Sequence, residues 1–167
     1  VKWLFFPTTL LAQADSCIGS KTSINFGEYK NQLGGFYPPH QIFIDMDVLE
    51  SLPLGDRQSG FGEMSHYFVI AGEIEFKKYK NDYAVGMEDK HVLANTIAKS
   101  LQIKKGYIEI DEYDTNERQV FNYGHSFGHA IESLTKYTIP HGIAVSIGMD
   151  MANFISVKMG LLDKTVR

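Results

Sequence analysis

The sequence predicts a mainly α fold with a few short strands, an α/β type in which helices carry most of the chain. Three observations predict it. Apolar residues recur at helical spacing through the second half, most of the strand-like runs are short and precede the break at Leu49-Pro53-Gly55, and the composition is that of an ordinary globular domain, with 44% hydrophobic and 22% charged residues.

Taken in order, Trp3 to Phe6 is an aromatic and apolar run ended by Pro7, which predicts a buried strand. A helix over Leu10 to Ser16 follows, capped by Thr8 or Thr9. Between Ile18 and Gly35, the glycines Gly19, Gly27, Gly34 and Gly35 mix with Ser, Lys and Asn, which predicts an irregular, ligand-facing loop. Gln41 to Asp45 reads as a short strand after Pro38-Pro39. Helices are predicted over Gln58 to Ala71, Lys90 to Lys104, Gly124 to Lys136 and Gly142 to Met159. Leu93, Ile97 and Leu101 share one face of the second of these, and Ile143, Ile147, Met151 and Phe154 form a similar stripe on the last, so both faces are expected in the core. Tyr107 to Ile110 reads as a short edge strand before the acidic turn Asp111 to Asp114.

The 167 residues suit one domain or one compact part of a larger one. A net charge of −4 with scattered Lys and Arg offers no basic stripe for nucleic acid or an anionic membrane, which leaves a small molecule as the expected partner. The single cysteine, Cys17, has no internal disulfide partner, which fits a reducing, cytoplasmic setting. Val1 to Leu11 is interrupted by Pro7 and lacks a convincing cleavage site, and Ile143 to Leu162 contains Asp150, Asn153 and Lys158, so neither is expected to act as a signal or to span a membrane. A start at Val1, in mid-strand, is expected of a fragment.

The densest chemical signal is Asn122-Tyr-Gly-His125-Ser-Phe-Gly-His129-Ala-Ile-Glu132 followed by His141-Gly142. On a helix His125 and His129 project from one face, one turn apart, and could share a metal. A catalytic zinc needs about three protein ligands and an open position, so a carboxylate would have to join them. Satisfied structural histidines are the competing reading of the same spacing. Gly124, Gly128 and Gly142 favour the metal, because they let other groups approach the backbone closely.

These motifs, with others in order, resemble the dehydroquinate synthase family across nearly the whole chain. Pro7-Thr-Thr-Leu-Leu-Ala-Gln-Ala-Asp15-Ser-Cys-Ile-Gly19-Ser-Lys21-Thr looks like the family's segment beside its NAD and phosphate sites, and Tyr29-Lys30-Asn31-Gln-Leu-Gly-Gly-Phe36 like its next substrate loop. Ser59-Gly-Phe-Gly-Glu63 resembles the segment supplying a carboxylate ligand. Lys104, Asp111-Glu112, Arg118, Asn122 and Pro140-His141-Gly142 complete the pattern.

The resemblance implies metal ligands Glu63, His125 and His141, with His129 left for the substrate, in place of the His125–His129 pair that spacing alone suggests. It implies a substrate site of Lys21, Lys30, Asn31, His66, Lys104, Arg118, Asn122 and His129, with Asp15, Lys21, Asn122 and His129 nearest the chemistry. Thr8, Thr9, Leu11, Asp15, Ser16, Lys21 and Lys30 would border NAD. Residues 1–55 would be the end of the NAD-binding domain with its substrate loops, and 56–167 a truncated helical metal- and substrate-binding domain. The family's nucleotide domain would begin before Val1, its chain would extend past Arg167, and this piece alone would be inactive.

The implied reaction is conversion of a phosphorylated keto-sugar acid, 3-deoxy-arabino-heptulosonate 7-phosphate, to 3-dehydroquinate and phosphate in the shikimate pathway, with zinc (or cobalt) and NAD as cofactors and a homodimer as the usual assembly. Two departures stand out. His66 occupies a position where the family usually has Lys, and Ser20 interrupts the usual Gly-Gly-Lys, a change the loop absorbs provided Ser20 avoids positive φ. His66 keeps open a related cyclase acting on sedoheptulose 7-phosphate or glucose 6-phosphate. An iron-type alcohol dehydrogenase and an inactive scaffold module are the remaining alternatives; the abundance of anion-binding residues argues against the first, and retention of all three ligands against the second.

Overall fold

A computed structural model describes residues 1–27 and 29–166, with Lys30 described through its backbone alone. Four short strands precede five helices: β1 (Leu4–Phe5), β2 (Ile24–Phe26), β3 (Tyr29–Leu33), β4 (Gln41–Ile42), α1 (Leu54–Ala71), α2 (Glu73–Gly86), α3 (Lys90–Ile110), α4 (His125–Leu134) and α5 (His141–Lys158). A π-helical turn at Ala12–Ser16 and 3-10 turns at Asp47–Ser51 and Glu117–Asn122 link them. β1 pairs in parallel with β4, Leu4 opposite Gln41, and β2 pairs antiparallel with β3, Phe26 opposite Tyr29.

Local chemistry sets the helix ends. Pro53 precedes α1 with its φ already fixed for entry, and Gly72, at φ 107°, ends α1 and admits α2 directly. Asp89 caps α3, its carboxylate accepting from the His91 and Val92 amides. Thr9 Oγ1 accepts from the Ala12 amide at 3.2 Å, so of the two threonines Thr9 is the cap.

The core lies between α1, α2, α3 and the π-helical turn. Leu10, Ala14, Phe61, Met64, Phe68, Tyr79, Leu93 and Ile97 are all buried there, each large member contributing about 1.5–3 kcal/mol relative to exposure. The predicted inward face of α3 is therefore met, with Leu101 packed against the same cluster.

Several expectations are corrected. Tyr107–Ile110 is the last turn of α3, because Tyr107 stacks edge-on against Phe121 and the helical hydrogen bonds continue to Asp111. α2 went unrecognised, although Phe76, Tyr79 and Tyr83 mark its apolar face. The Ile18 to Gly35 segment carries the β2–β3 hairpin in place of an irregular loop. Trp3 to Phe6 is not buried: Leu4 and Phe6 are exposed, since β1 has β4 as its sheet partner and little covers their side chains. The α5 stripe is also misassigned. Ile147, Met151 and Phe154 face outward, and the helix packs instead through Gly142, Ala144, Val145, Gly148 and Met149. Small residues win because they allow the closest backbone approach. No helix among the described residues is long and apolar enough to cross a membrane.

Candidate metal centre and substrate cleft

α5 is clamped onto α1 at its first turn. A Cβ on Gly142 would lie 1.8 Å from the Ser59 carbonyl oxygen and 2.6 Å from the Glu63 amide nitrogen, so only glycine permits this contact. The Gly142 amide donates to Ser59 Oγ at 2.9 Å, and Ser146 Oγ donates to the carbonyls of Gly142 and Gly62 at 2.9 and 3.3 Å. Gly124, left-handed at φ 82°, starts α4 against Met149 of α5. These contacts set Glu63 of α1, His125 of α4 and His141 of α5 around one point.

The donor atoms of Glu63, His125 and His141 all lie within 4.8 Å of one another. His125 Nε2 stands 3.7 Å from Glu63 Oε1, and His141 Nε2 3.5 Å from Glu63 Oε2. The far nitrogen of each ring has an acceptor: Nδ1 of His125 is 3.4 Å from the Tyr123 carbonyl, and Nδ1 of His141 is 3.1 Å from Glu132 Oε2. Both rings are thus tautomerically set to aim an Nε2 lone pair inward.

The electrostatics suit a divalent cation. Glu63 is buried, its Oε2 accepts no hydrogen bond, and burial, with Asp15 and Glu132 nearby, pushes its carboxyl well above the usual range. Burial, with the neighbouring His141, pulls His125 down to about 4, so its imidazole is neutral and suited to ligation. One carboxylate and two imidazoles make a donor set that fits a catalytic zinc or cobalt ion, and the orphaned Glu63 oxygen shows that the residues present suit such an ion.

Beside this cluster is a cleft of about 150 Å³ lined by Asp15, Lys21, Glu63, His66, Tyr67, Lys104, Asp114, Arg118, Phe121, Asn122 and His125. Lys104, almost fully buried, donates to the backbone and side-chain oxygens of Asp15, both at 2.7 Å, and Tyr67 donates to the same carboxylate. Burial alone would raise Asp15; Lys104 and Tyr67 outweigh it and hold the carboxyl below its usual value. Lys21 stands at the mouth, 2.5 Å from Asp114. A larger cavity of about 420 Å³, lined by residues such as Val69, Phe76 and Tyr83, is mainly apolar and holds none of the cluster, so the chemistry lies in the smaller one.

Of the expected substrate residues, Lys21, His66, Lys104, Arg118 and Asn122 converge on this cleft. Arg118 does so with its guanidinium engaged, donating to the carbonyl of Glu112 at 2.6 Å and to that of Gly19 at 3.3 Å, and it follows Asp111 in a 3-10 turn rather than an α-helix. His66 is buried, neither ring nitrogen is hydrogen-bonded, and burial pulls it down to about 3. His129 lies on the exposed side of the imidazole cluster, its ring centroid 5.5 Å from His125 and 5.6 Å from His141. Asn31 is on the hairpin, its Oδ1 accepting from Ser23 Oγ, away from the cleft. The Lys30 side chain lies outside the described residues. Ser20 does adopt positive φ, 66°, contrary to the proviso placed on it, and its hydroxyl donates to Glu112 at 2.6 Å.

The positions expected to border NAD are dispersed. Ser16 and Lys21 edge a second cavity of about 290 Å³, Asp15 faces the cleft, Leu11 is half-buried, and Thr8 and Thr9 are exposed at the head of the π-helical turn. The sequence reading missed Tyr67, Asp114 and Phe121 in the cleft wall. Tyr67, one turn from Glu63 on α1, had a helical-face signal; Asp114 had only its place in the acidic turn.

The fold is that of the carbocycle-forming sugar-phosphate synthases. It superposes on 2-deoxy-scyllo-inosose synthase, solved with carbaglucose-6-phosphate, NAD+ and Co2+, with a TM-score of 0.83 and 26% identity over 99% of this chain and 45% of that one. A 2-epi-5-epi-valiolone synthase from Streptomyces hygroscopicus, solved with NAD+ and Zn2+ bound, shares the fold at a TM-score of 0.79, with 24% identity over 98% of this chain and 46% of that one. The chain itself belongs to the 3-dehydroquinate synthase family, whose N-terminal model matches residues 1–59 and whose C-terminal model matches residues 60–167. It is 40% identical to the 3-dehydroquinate synthase of Dictyoglomus thermophilum over 99% of this chain and 47% of the relative, and 41% identical to that of Helicobacter hepaticus over 98% and 46%. The chain spans about half the length of the curated relatives it matches.

Proposed function

We propose that the protein is a metal-dependent, phosphate-eliminating cyclase that converts 3-deoxy-arabino-heptulosonate 7-phosphate to 3-dehydroquinate and phosphate, a step toward the aromatic amino acids. The observation that carries this reading is the buried Glu63 carboxylate flanked by the Nε2 atoms of His125 and His141, opening onto a cleft with Lys21, Lys104 and Arg118. The family membership supports it.

Glu63, His125 and His141 would hold zinc or cobalt, whose Lewis acidity polarises a substrate oxygen, while NAD would supply a reversible hydride acceptor. The remaining roles fall to the chain's own side chains. An ammonium has three donors; Asp15 takes two from Lys104 and leaves the third for the substrate. Lys21, paired with Asp114 and half-exposed, supplies point charge to an entering phosphate. Arg118 ties the Gly19 and Glu112 backbones together, so it both shapes the cleft wall and adds positive charge. Asn122 closes the cleft by hydrogen bonding to hydroxyls, and His129 exchanges a proton with the substrate's phosphate from the exposed side of the imidazole cluster. Residues 1–55 would complete an NAD-binding domain and 56–167 the metal-binding unit, in a cytoplasmic homodimer.

A second reading has one specific support. His66 is buried and neutral where the family usually carries Lys, which lowers the cleft's positive charge and favours a related cyclase using a neutral sugar phosphate. The test is phosphate release by the purified full-length protein, supplied with NAD and zinc and offered the heptulosonate phosphate, sedoheptulose 7-phosphate and glucose 6-phosphate in parallel. Release from the heptulosonate alone supports the first reading. Release only from the neutral sugars overturns it in favour of the second, and no release from any, with zinc bound, favours an inactive scaffold.

A further inference from the structure

Glu132 has no role in the chemistry above, yet its side chain is almost fully buried, 3% exposed, in the last turns of α4. Its Oε2 is 3.1 Å from Nδ1 of His141, whose opposite nitrogen faces Glu63. With the carboxylate oxygen as acceptor the proton sits on Nδ1, which leaves the Nε2 lone pair for a cation.

We propose that Glu132 is a positioning residue for the metal centre: through the Nδ1 hydrogen bond it fixes the tautomer and ring plane of His141. The inference rests on the metal-centre reading of Glu63, His125 and His141. The two imidazoles are held differently. His125 leans on a backbone carbonyl at 3.4 Å, whereas His141 has a carboxylate oxygen at 3.1 Å, and such an acceptor on the far nitrogen makes the ligating nitrogen more basic. Burying Glu132 near Glu63 places two carboxylates about one ring, an arrangement a divalent cation offsets.

His129, Glu132 and His141 also lie close enough to form a second three-donor group. Ligation there would draw on the same Glu132 carboxylate that faces the His141 ring, so the two arrangements are alternatives that the stoichiometry of metal binding separates.

The test measures zinc affinity by competition with a chromophoric chelator in the purified wild type, Glu132→Gln, His141→Ala, the double variant and a Glu63→Ala control, with visible absorption of the cobalt forms as a second readout. The expected result is one equivalent in the wild type, binding about 10–100-fold weaker in Glu132→Gln, a changed cobalt spectrum, and no further loss when Glu132→Gln is added to His141→Ala. Should Glu132→Gln not fold, Glu132→Met in the same cycle removes the same acceptor. Unchanged affinity and spectrum in Glu132→Gln, or additive losses in the double variant, overturns the positioning role. Two equivalents in the wild type with only one lost in Glu132→Gln also overturns it, making Glu132 a ligand. Wild-type binding that Glu63→Ala leaves intact, or none at all, sinks the metal-centre reading itself and the inference with it.

Discussion

Oε2 of Glu63 and Nε2 of His141 stand 3.5 Å apart because the helices that carry them touch backbone to backbone at Gly142. Neither side chain reaches far; the closeness belongs to α1 and α5. The proposed metal centre therefore depends on a residue that is not itself a ligand.

Gly142→Ala would insert a Cβ 1.8 Å from the Ser59 carbonyl oxygen. Backbone cannot yield as a flexible side chain does, so the helices must part, at a cost of about 1–3 kcal/mol or more. The expected outcome is a lower melting temperature together with a loss of zinc affinity, read by thermal denaturation and chelator competition. Wild-type zinc affinity in this variant would refute the argument.

Glu63→Gln should move stability and metal binding in opposite directions. In the metal-free protein, removing a buried carboxyl that burial holds well above its usual range, and whose Oε2 accepts no hydrogen bond, should stabilise the fold by about 1 kcal/mol or more. Zinc uptake should fall sharply, since the amide is a poor ligand. Denaturant melts of the chelator-treated protein and metal analysis of the same samples check both signs.

Lys104 and Asp15 form a largely buried pair at 2.7 Å. Lys104→Met leaves the carboxylate uncompensated and should cost about 3–5 kcal/mol, whereas adding Asp15→Asn should recover part of that loss. A double-mutant cycle by urea denaturation measures the coupling. Simple additivity would show that the pair contributes little.

Asp111 accepts hydrogen bonds from the amides of Thr115, Asn116 and Arg118, and these, that of Thr115 foremost, lower its carboxyl to about 2. A depressed folded-state value means the stabilisation is complete above the ordinary carboxylate range near pH 4 and is lost as the pH falls through about 2. Asp111→Asn should melt earlier at neutral pH and show a shallower loss of stability between about pH 4 and pH 2. Because Asp111 holds the turn that presents Arg118, the variant should also raise KM more than it lowers kcat. Thermal melts across that pH range, with steady-state kinetics at neutral pH, separate the two effects.

Helix positions were legible where one face met one core. Leu93, Ile97 and Leu101 turned inward as their spacing required, because α3 packs the same apolar cluster along its first half. α5 was read on the wrong face because periodicity counts large apolar residues, while its contacts with α1 and α4 run through Gly142, Val145 and Gly148. Tyr107 to Ile110 carried strand-like residues, and the ring contact between Tyr107 and Phe121 helped keep it helical.

By itself, the sequence determined the donor inventory, the glycines that admit close approach, and the order of motifs that marks the family. Helical spacing alone pairs His129 with His125, and only the family resemblance replaces it with His141. What the tertiary structure adds is the geometry: the contact of α5 with α1 at Gly142 brings His141 against Glu63, while His129 stays on the exposed side. The same is true of Glu132, whose carboxylate gains meaning only from the imidazole facing it. Ligand geometry is a long-range property, set by which backbones can touch, and no local period in the chain records that.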